Sequence, residues 1–269
     1  MSASPKAAAA NAAQMASSSY RLAAIDEDFL LSDSMRGVRF LLEYAKAEEA
    51  LRAWGVASTI VVFGSARIRE DGPPRHAEWY RQARAFAALA SQRGGAFLSL
   101  ERRRENVVAT GGGPGIMEAA NRGAADVGAP SIGFNIGLPR EQEPNAYSTP
   151  DLTFRFHYFA MRKMHLAMRA HALVVFPGGF GTLDELFEIL TLRQTGKAPQ
   201  IPVVLFDEAY WKSVINFDAL IEAQTIDPAD LQLFRFADDA EAVWSQLLAG
   251  GLQMPGGPSW EAARDIQED

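Results

Sequence analysis

The chain has 269 residues, 48% of them hydrophobic, a formal net charge of −7 and no cysteine. This length and apolar content allow one large core, and the absence of cysteine excludes disulfides, thiolate metal sites and cysteine nucleophiles. The negative charge argues against nucleic-acid and anionic-membrane surfaces, whereas a small anionic substrate needs only a local group of amide N–H donors and one or two cations.

Both ends of the chain differ in composition from its centre. Residues 1–19 are rich in alanine and serine, and we predict a disordered tail rather than a secretory signal. Residues 250–269 are rich in glycine, proline and charge, and we predict a second tail there. The segment between them, 20–249, is predicted to be a single domain whose first part, 20–54, has the apolar spacing of a helical arm. No apolar stretch is long enough to cross a bilayer, so we expect a cytoplasmic protein.

Short β-branched runs alternate with helical patterns through the centre of the chain. Thr59–Phe63 is continuously apolar, as is typical of a strand buried on both faces of a parallel sheet. Further strands are predicted at 106–110, 131–135, 172–176 and 201–206, with 152–156 as a candidate sixth, and helices at about 75–93, 114–128, 158–171, 180–195 and 208–223. The alternation predicts a Rossmann-like α/β fold with a doubly wound, mostly parallel sheet flanked by helices. Ligands of such sheets bind at the carboxyl ends of the strands.

A first glycine loop, Thr110-Gly-Gly-Gly-Pro-Gly115, joins a predicted strand to a predicted helix. Glycines let backbone amides approach a ligand, and a helix N-terminus favours an anion, so Gly112 and Gly113 are candidate substrate contacts. A tight turn that needs positive φ explains the same run. Pro114 interrupts the dinucleotide-binding fingerprint.

A second glycine loop lies at Phe176 to Glu185, again between a predicted strand and a predicted helix. Its glycines can present N–H groups to a phosphate, and Thr182 supplies a hydroxyl that is also predicted to cap the helix. Glu185 stands three residues after Thr182, which is the spacing of a capping box, so a cap carboxylate is the alternative to a functional role.

A basic pair, Arg162-Lys163, lies in the helix that precedes this loop. Such a pair is usually solvated. Here Phe159, Met161 and Met164 flank it, which favours a helix whose basic residues face a partly enclosed site. We therefore expect Arg162 to meet Glu185 across one crevice.

Metal and pyridoxal-phosphate chemistry find little support in the sequence. The four histidines, at 76, 157, 165 and 171, lack metal-ligand spacing. No lysine has a setting suited to a Schiff base with pyridoxal phosphate. We predict neither a metal nor a cofactor.

These motifs together resemble the LOG (Lonely Guy) phosphoribohydrolases, a family long mislabelled as lysine decarboxylases. The motif Pro-Gly-Gly-x-Gly-Thr-x-x-Glu stands at 177–185, the basic pair precedes it at the family's spacing, and the runs 63–66 and 111–124 also match. The resemblance covers about 58–225. Asp184 replaces the Glu of many plant members, and the long leading arm is similar to that of the longer bacterial branch.

The resemblance implies that Arg162 and Glu185 are the catalytic pair. It also implies further substrate contacts at Lys163, Gly179, Gly181, Thr182 and Thr191, and the second glycine loop adds Gly178 as a candidate contact through its N–H group. Ser65 and Glu141 are expected to line the ribose and base sides of the substrate. Base selectivity would depend on the long loop 137–150, which contains Glu141.

The reaction expected from this set is hydrolysis of the N-glycosidic bond of a nucleoside 5′-monophosphate, releasing free base and ribose 5-phosphate. The expected substrate is an N6-substituted adenine cytokinin nucleotide, AMP, or both. The alternatives are a nucleotide or molybdenum-cofactor carrier on the same scaffold, a broad purine or pyrimidine nucleotide nucleosidase, and a non-catalytic scaffold protein. We expect a homodimer or higher homo-oligomer in which neighbouring subunits complete the site, and no nucleic-acid or membrane partner.

Overall fold

A parallel sheet positions the glycine loops. The computed structural model of the protein describes residues 10–98, 101–137 and 143–255, and within them seven strands form one sheet. The strands are β1 Thr59–Phe63, β2 Val107–Thr110, β3 Ser131–Ile136, β4 Thr153–Phe156, β5 Ala170–Val175, β6 Val203–Phe206 and β7 Arg235–Ala237. All neighbours pair in parallel. This architecture confirms the predicted Rossmann-like α/β fold.

The strand order is β4-β3-β2-β1-β5-β6-β7. The chain therefore starts at the centre, runs outward through β2, β3 and β4, and returns to place β5 beside β1. Loops after β1 and β5 leave the sheet in opposite directions, and such a switch point is where doubly wound sheets open a ligand crevice.

Ten α-helices lie in the described part of the chain. They are α1 Ala12–Ala16, α2 Glu27–Leu31, α3 Arg36–Ala53, α4 Pro74–Arg93, α5 Ile116–Asp126, α6 Phe159–Met168, α7 Phe180–Gln194, α8 Glu208–Val214, α9 Phe217–Glu222 and α10 Ala240–Ala249. Short 3-10 helices cover Ser18–Tyr20, Ala23–Ile25, Asp33–Met35, Pro150–Leu152 and Pro228–Leu233.

The apolar runs of the sequence become the core. Every residue of β1, β2 and β6 is buried, because helices cover both faces of a doubly wound sheet. Large side chains such as Phe86 on α4 and Trp211 on α8 are fully enclosed. The sheet is therefore a rigid platform for the loops at its carboxyl edge.

Some element predictions were wrong at their ends. The helix predicted over 158–171 ends at Met168, because β5 already begins at Ala170. The helix predicted over 208–223 is two helices, since the Asn216 side chain accepts a hydrogen bond from Ala219 N and starts α9 afresh. The short strand β7 and the helix α10 were not predicted.

The chain divides into two compact units, residues 1–46 and 47–269. In the first unit, α2 is capped by Asp26, whose side chain accepts a hydrogen bond from Phe29 N. A helical N-terminal region is therefore present, as predicted. In the second unit, Leu252 is buried and Gln253 O accepts a hydrogen bond from Asn106 Nδ2 at 2.8 Å. The proposed domain and tail boundaries stay predictions, and 1–9 and 256–269 lie outside the described residues.

None of the described helices combines the length and the apolar character that a bilayer span requires.

Candidate active site

Three loops meet at the carboxyl edge of the sheet, and Ser65 joins them. Ser65 follows β1, and its N–H donates to Pro177 O, after β5, at 3.0 Å. Its carbonyl accepts from Ile116 N, the first residue of α5, at 3.2 Å. Gly115 has a φ of +73°, and a Cβ there would lie 2.3 Å from Ser65 O. Only glycine fits this contact, which fixes the first glycine loop against the loop after β1.

A cleft of about 940 Å³ opens beside these loops. The cleft is lined by the loop after β1, the start of α7, and side chains from α6 and α8. Many of the predicted site residues lie on its wall, namely Ser65, Arg162, Gly178, Gly179, Gly181, Thr182 and Glu185. The structure therefore brings together residues that the sequence places on four separate elements.

Arg162 and Glu185 are in direct contact in the wall of the cleft. Arg162 Nη1 lies 3.1 Å from Glu185 Oε1, and the two side chains are only 11% and 9% exposed. Arg162 Nε also donates to Phe134 O on β3 at 2.8 Å. The guanidinium is thus fixed by one backbone acceptor and presents another edge to the carboxylate.

Gly111 leaves the space that this arginine occupies. A Cβ at Gly111 would lie 2.5 Å from Arg162 Nη2 and 2.8 Å from Met117 Sδ. The first glycine of the loop, rather than its neighbours, is therefore the one that accommodates the buried pair.

Burial perturbs the ionisation of both partners. Desolvation is the largest effect and raises the pKa of the Glu185 carboxyl; the negative charges of Glu188 and Asp184 raise it further, against the opposite effect of the positive charges on Arg162 and Lys163. Desolvation also lowers the pKa of Arg162, although a guanidinium stays protonated in proteins. Carboxylates perturbed by burial and a specific charge partner are concentrated at functional sites.

The start of α7 differs from the prediction. The helix begins at Phe180 with Gly179 as its N-cap, and no side chain caps it. Thr182 is therefore not the cap, and Glu185 lies inside the helix facing Arg162, so the capping-box interpretation was wrong. The N–H groups of the first helical turn have no carbonyl partner within a helix, which leaves those of Phe180, Gly181 and Thr182 available at the cleft.

Gly178 allows the loop to pack onto this turn. A Cβ at Gly178 would lie 2.1 Å from Thr182 Oγ1. The carbonyl of Gly178 accepts a hydrogen bond from the Tyr210 hydroxyl at 2.7 Å. The loop is thus held from both sides.

Other predicted contacts lie away from the cleft. Lys163 Nζ pairs with Asp184 Oδ2 at 2.7 Å and Glu188 Oε2 at 3.0 Å. With Thr191, Lys163 lines a separate surface depression along α7. The roles assigned to Lys163 and Thr191 stay predictions.

Gly112 and Gly113 are buried but do not line the cleft. Asn145 Nδ2 donates to both of their carbonyls at 3.1 Å. Gly112 has a φ of +70° and packs against Asn135. Glu141 lies outside the described residues.

Several residues on the wall of the cleft were not predicted, among them Arg67, His76, Trp79 and Tyr210. Trp79 Nε1 donates to Asp207 Oδ2 at 2.8 Å, and Asp207 caps α8 with a positive φ of 69°. Asp207 follows β6 directly and therefore lies at the carboxyl end of a strand, where ligands of such sheets bind. This position was the sequence signal that could have pointed to this part of the wall.

No group of three or more His, Asp or Glu side chains suited to a metal ion occurs among residues 10–98, 101–137 and 143–255.

Comparison with known proteins gives consistent similarities. A family model described as "Possible lysine decarboxylase" matches residues 117–247. A rice protein named probable cytokinin riboside 5′-monophosphate phosphoribohydrolase LOG4 is 28% identical over 166 residues, covering 61% of this chain and 70% of that protein. Arabidopsis thaliana cytokinin riboside 5′-monophosphate phosphoribohydrolase LOG3 is 28% identical over 148 residues, covering 54% of this chain and 67% of that protein.

Among solved structures, the structural genomics target TM1055 has a TM-score of 0.51 and 20% sequence identity, over 71% of this chain and 99% of that chain. This likeness concerns the fold alone. The family model and the relatives extend the similarity to the LOG phosphoribohydrolases.

Proposed function

We propose that the protein hydrolyses the N-glycosidic bond of a nucleoside 5′-monophosphate and releases free base and ribose 5-phosphate. The observation that carries the proposal is the buried contact between Arg162 and Glu185 on the wall of a cleft at the switch point of the sheet. The names of the relatives support a cytokinin nucleotide, with N6-substituted adenine, as the substrate. AMP is the unsubstituted form of the same substrate class.

Glu185 is the group suited to act at the ribose. Positive charge develops on the sugar as the bond from C1′ to the base nitrogen breaks, and a carboxylate stabilises it. The electron pair of that bond stays with the base. Water adds its oxygen to C1′, with Glu185 orienting it and accepting a proton, and the base nitrogen takes up a proton. Burial raises the pKa of Glu185 and makes its carboxylate a stronger base.

Arg162 serves this carboxylate rather than acting as an acid or a base. Its guanidinium stays protonated, and its bond to Phe134 O holds it at a set distance from Glu185. The positive charge opposes the desolvation that would otherwise protonate Glu185. Arg162 therefore orients Glu185 and favours its ionised form.

The phosphate would bind at the start of α7, at the amide groups of residues 179–182. A helix N-terminus with free N–H groups suits an anion. Phosphate binding there would hold the substrate at a point remote from the reacting bond. Such remote binding energy allows an enzyme to prefer a nucleotide over the nucleoside. Ser65, on the same wall, would face the ribose.

The test is direct. Purified protein is incubated with AMP, N6-isopentenyl-AMP and the two nucleosides, and free base is followed by chromatography. We expect release from at least one monophosphate, with a loss of about 10²-fold or more in Glu185→Gln and Arg162→Ala. Glu188→Gln is the matched control, because it removes a carboxylate one turn further along α7 that pairs with Lys163 outside the cleft.

Two outcomes contradict the proposal. Base release that persists in Glu185→Gln would remove the assigned group. Nucleotide binding without release of any base would instead favour a carrier or binding protein on this scaffold.

We also propose that the protein forms a homodimer or higher homo-oligomer through the outer surface of α6 and α7. Phe180, Phe159 and Phe187 are 92%, 53% and 40% exposed there. Clustered exposed aromatic side chains mark association surfaces. Phe159 and Phe180 also line the cleft, so a neighbouring subunit would cover its rim.

Sedimentation velocity checks the assembly. We expect Phe187→Glu to dissociate the oligomer, whereas Leu248→Glu, at an exposed apolar position on α10, should leave it intact. A monomeric unmodified protein would overturn the proposed assembly.

A further inference from the structure

The cleft presents few positive charges to an anionic substrate. Among its lining residues, Arg67 and Arg162 carry the guanidinium groups. Arg162 is already bonded to Glu185 and to Phe134 O. Lys163, the cation expected from the family motif to hold the nucleotide, does not line the cleft, and its ammonium group is already paired with Asp184 and Glu188. Arg67 is therefore the cation in the wall of the cleft that is left for a ligand.

Arg67 differs from its neighbours in having no acidic partner within the described part of the chain. Arg69 pairs with Asp71 at 2.9 Å, and Arg75 pairs with Asp207 at 3.0 Å. Arg69 and Arg75 lie on the surface and are close to Arg67 in sequence. Because the chain has excess negative charge, surface arginines such as these readily find acidic partners. An arginine that stays unpaired on the wall of a cleft is suited to bind an external anion.

The backbone of Arg67 is fixed relative to the second glycine loop. Arg67 N donates to Ser65 Oγ at 3.1 Å, and Ser65 N donates to Pro177 O at 3.0 Å. The side chain therefore starts from a turn that is hydrogen-bonded to the loop leading into α7. A phosphate between them would receive amide N–H groups from the helix start and a guanidinium from Arg67, which together satisfy several of its oxygens.

We propose that Arg67 binds the 5′-phosphate of the substrate and sets the preference for a nucleoside monophosphate over a nucleoside. This inference rests on the proposed function. It assigns phosphate recognition to the loop after β1, and it leaves Lys163 to neutralise the acidic residues of α7.

The kinetic experiment compares kcat/KM for AMP and adenosine in Arg67→Met, Arg67→Lys and Arg69→Met. We expect Arg67→Met to lower the AMP-to-adenosine ratio by roughly 10- to 100-fold, mainly through a higher KM for AMP. Arg67→Lys should recover part of the loss, since it keeps the charge without the planar fork. Arg69→Met is the matched control, and its ratio should equal that of the unmodified protein. An unaltered ratio in Arg67→Met overturns the inference.

A binding measurement separates this inference from the proposed reaction. Calorimetric titration of AMP into Glu185→Gln, with and without Arg67→Met, measures phosphate recognition without turnover. If the unmodified protein releases no base, but AMP binds more weakly when Arg67 is lost, the phosphate-binding role of Arg67 stands although the proposed reaction fails. Equal binding in the two proteins, or no binding of AMP in either, would overturn the role of Arg67.

Discussion

The Glu185 carboxylate is 9% exposed and contacts the Arg162 guanidinium at 3.1 Å. Its pKa is nevertheless raised, because the loss of hydration on burial, together with the negative charges of Glu188 and Asp184, exceeds the attraction of the nearby cations. A buried ion pair adds little stability compared with apolar packing. Its presence at the wall of the cleft is better explained by the chemistry of the site than by stability.

The raised pKa of Glu185 predicts the acidic limb of the pH profile. Below this pKa the carboxyl is protonated and cannot stabilise positive charge, so kcat/KM for AMP should fall as the pH drops through a value above the ordinary 4.5 of glutamate. Lys163→Met should move the limb to still higher pH, because the positive charge on Lys163 lowers the pKa of Glu185. A limb at or below pH 4.5, or one that Lys163→Met leaves in place, would contradict this assignment.

Gly111→Ala should impair the reaction more than the fold. The added Cβ would lie 2.5 Å from Arg162 Nη2, so the guanidinium must move and its contact with Glu185 is lost. We expect kcat to fall by about 10²-fold, as for a misplacement of about 1 Å, with a small change in Tm. Gly37→Ala, where nothing lies within 4 Å of the new Cβ, is the control. Full activity in Gly111→Ala would show that Arg162 need not hold this position.

The sequence predicted that Arg162 would meet Glu185, but it did not predict that the adjacent Lys163 would point away from the cleft. Arg162 and Lys163 are adjacent and so point about 100° apart on a helix. Their orientation depends on the packing of α6 against β3, where Phe134 O binds Arg162. The same packing decides that Gly111, rather than Gly112, leaves the space for the Arg162 guanidinium. Such contacts join distant segments, and no local pattern records them.

At the scale of elements, the bounds of an element were predictable where composition changes sharply. β1 occupies Thr59–Phe63 as predicted, since a β-branched run ends at Gly64. The start of α7 was assigned to the wrong cap, because Thr182 has the spacing of a capping box while Gly179 already turns the chain. β7 was missed because three residues carry no detectable alternation.

The packing of α5 on α4 requires a glycine at position 123, inside a helix. A Cβ at Gly123 on α5 would lie 2.1 Å from Arg84 O on α4, and this carbonyl belongs to the backbone. Replacing a helical glycine with alanine normally stabilises a helix by about 1 kcal/mol. Here Gly123→Ala should destabilise the protein by about 1–3 kcal/mol through overpacking, seen as a lower urea midpoint. A higher midpoint would mean that the two helices can separate without loss.

At the scale of the whole molecule, the alternation of strands and helices was enough to predict the doubly wound sheet. The strand order was not predicted, and it is the order that sets the site. β1 and β5 lie side by side at the switch point, so the loops that follow them, with Ser65 and Pro177, form one wall. The surroundings of Arg67 and Tyr210 depend on this long-range arrangement and were therefore beyond sequence patterns.

The pairing of β1 with β5 also has a consequence for how the protein folds. Thr59 pairs with Ala170, so the chain must close a very long loop before the wall of the cleft exists, and such closure is entropically unfavourable. Contacts between segments far apart in sequence form slowly. On refolding from urea, far-UV circular dichroism should therefore recover before the release of base from AMP. Simultaneous recovery would mean that β1 and β5 pair early and that the rest of the sheet grows outward from them.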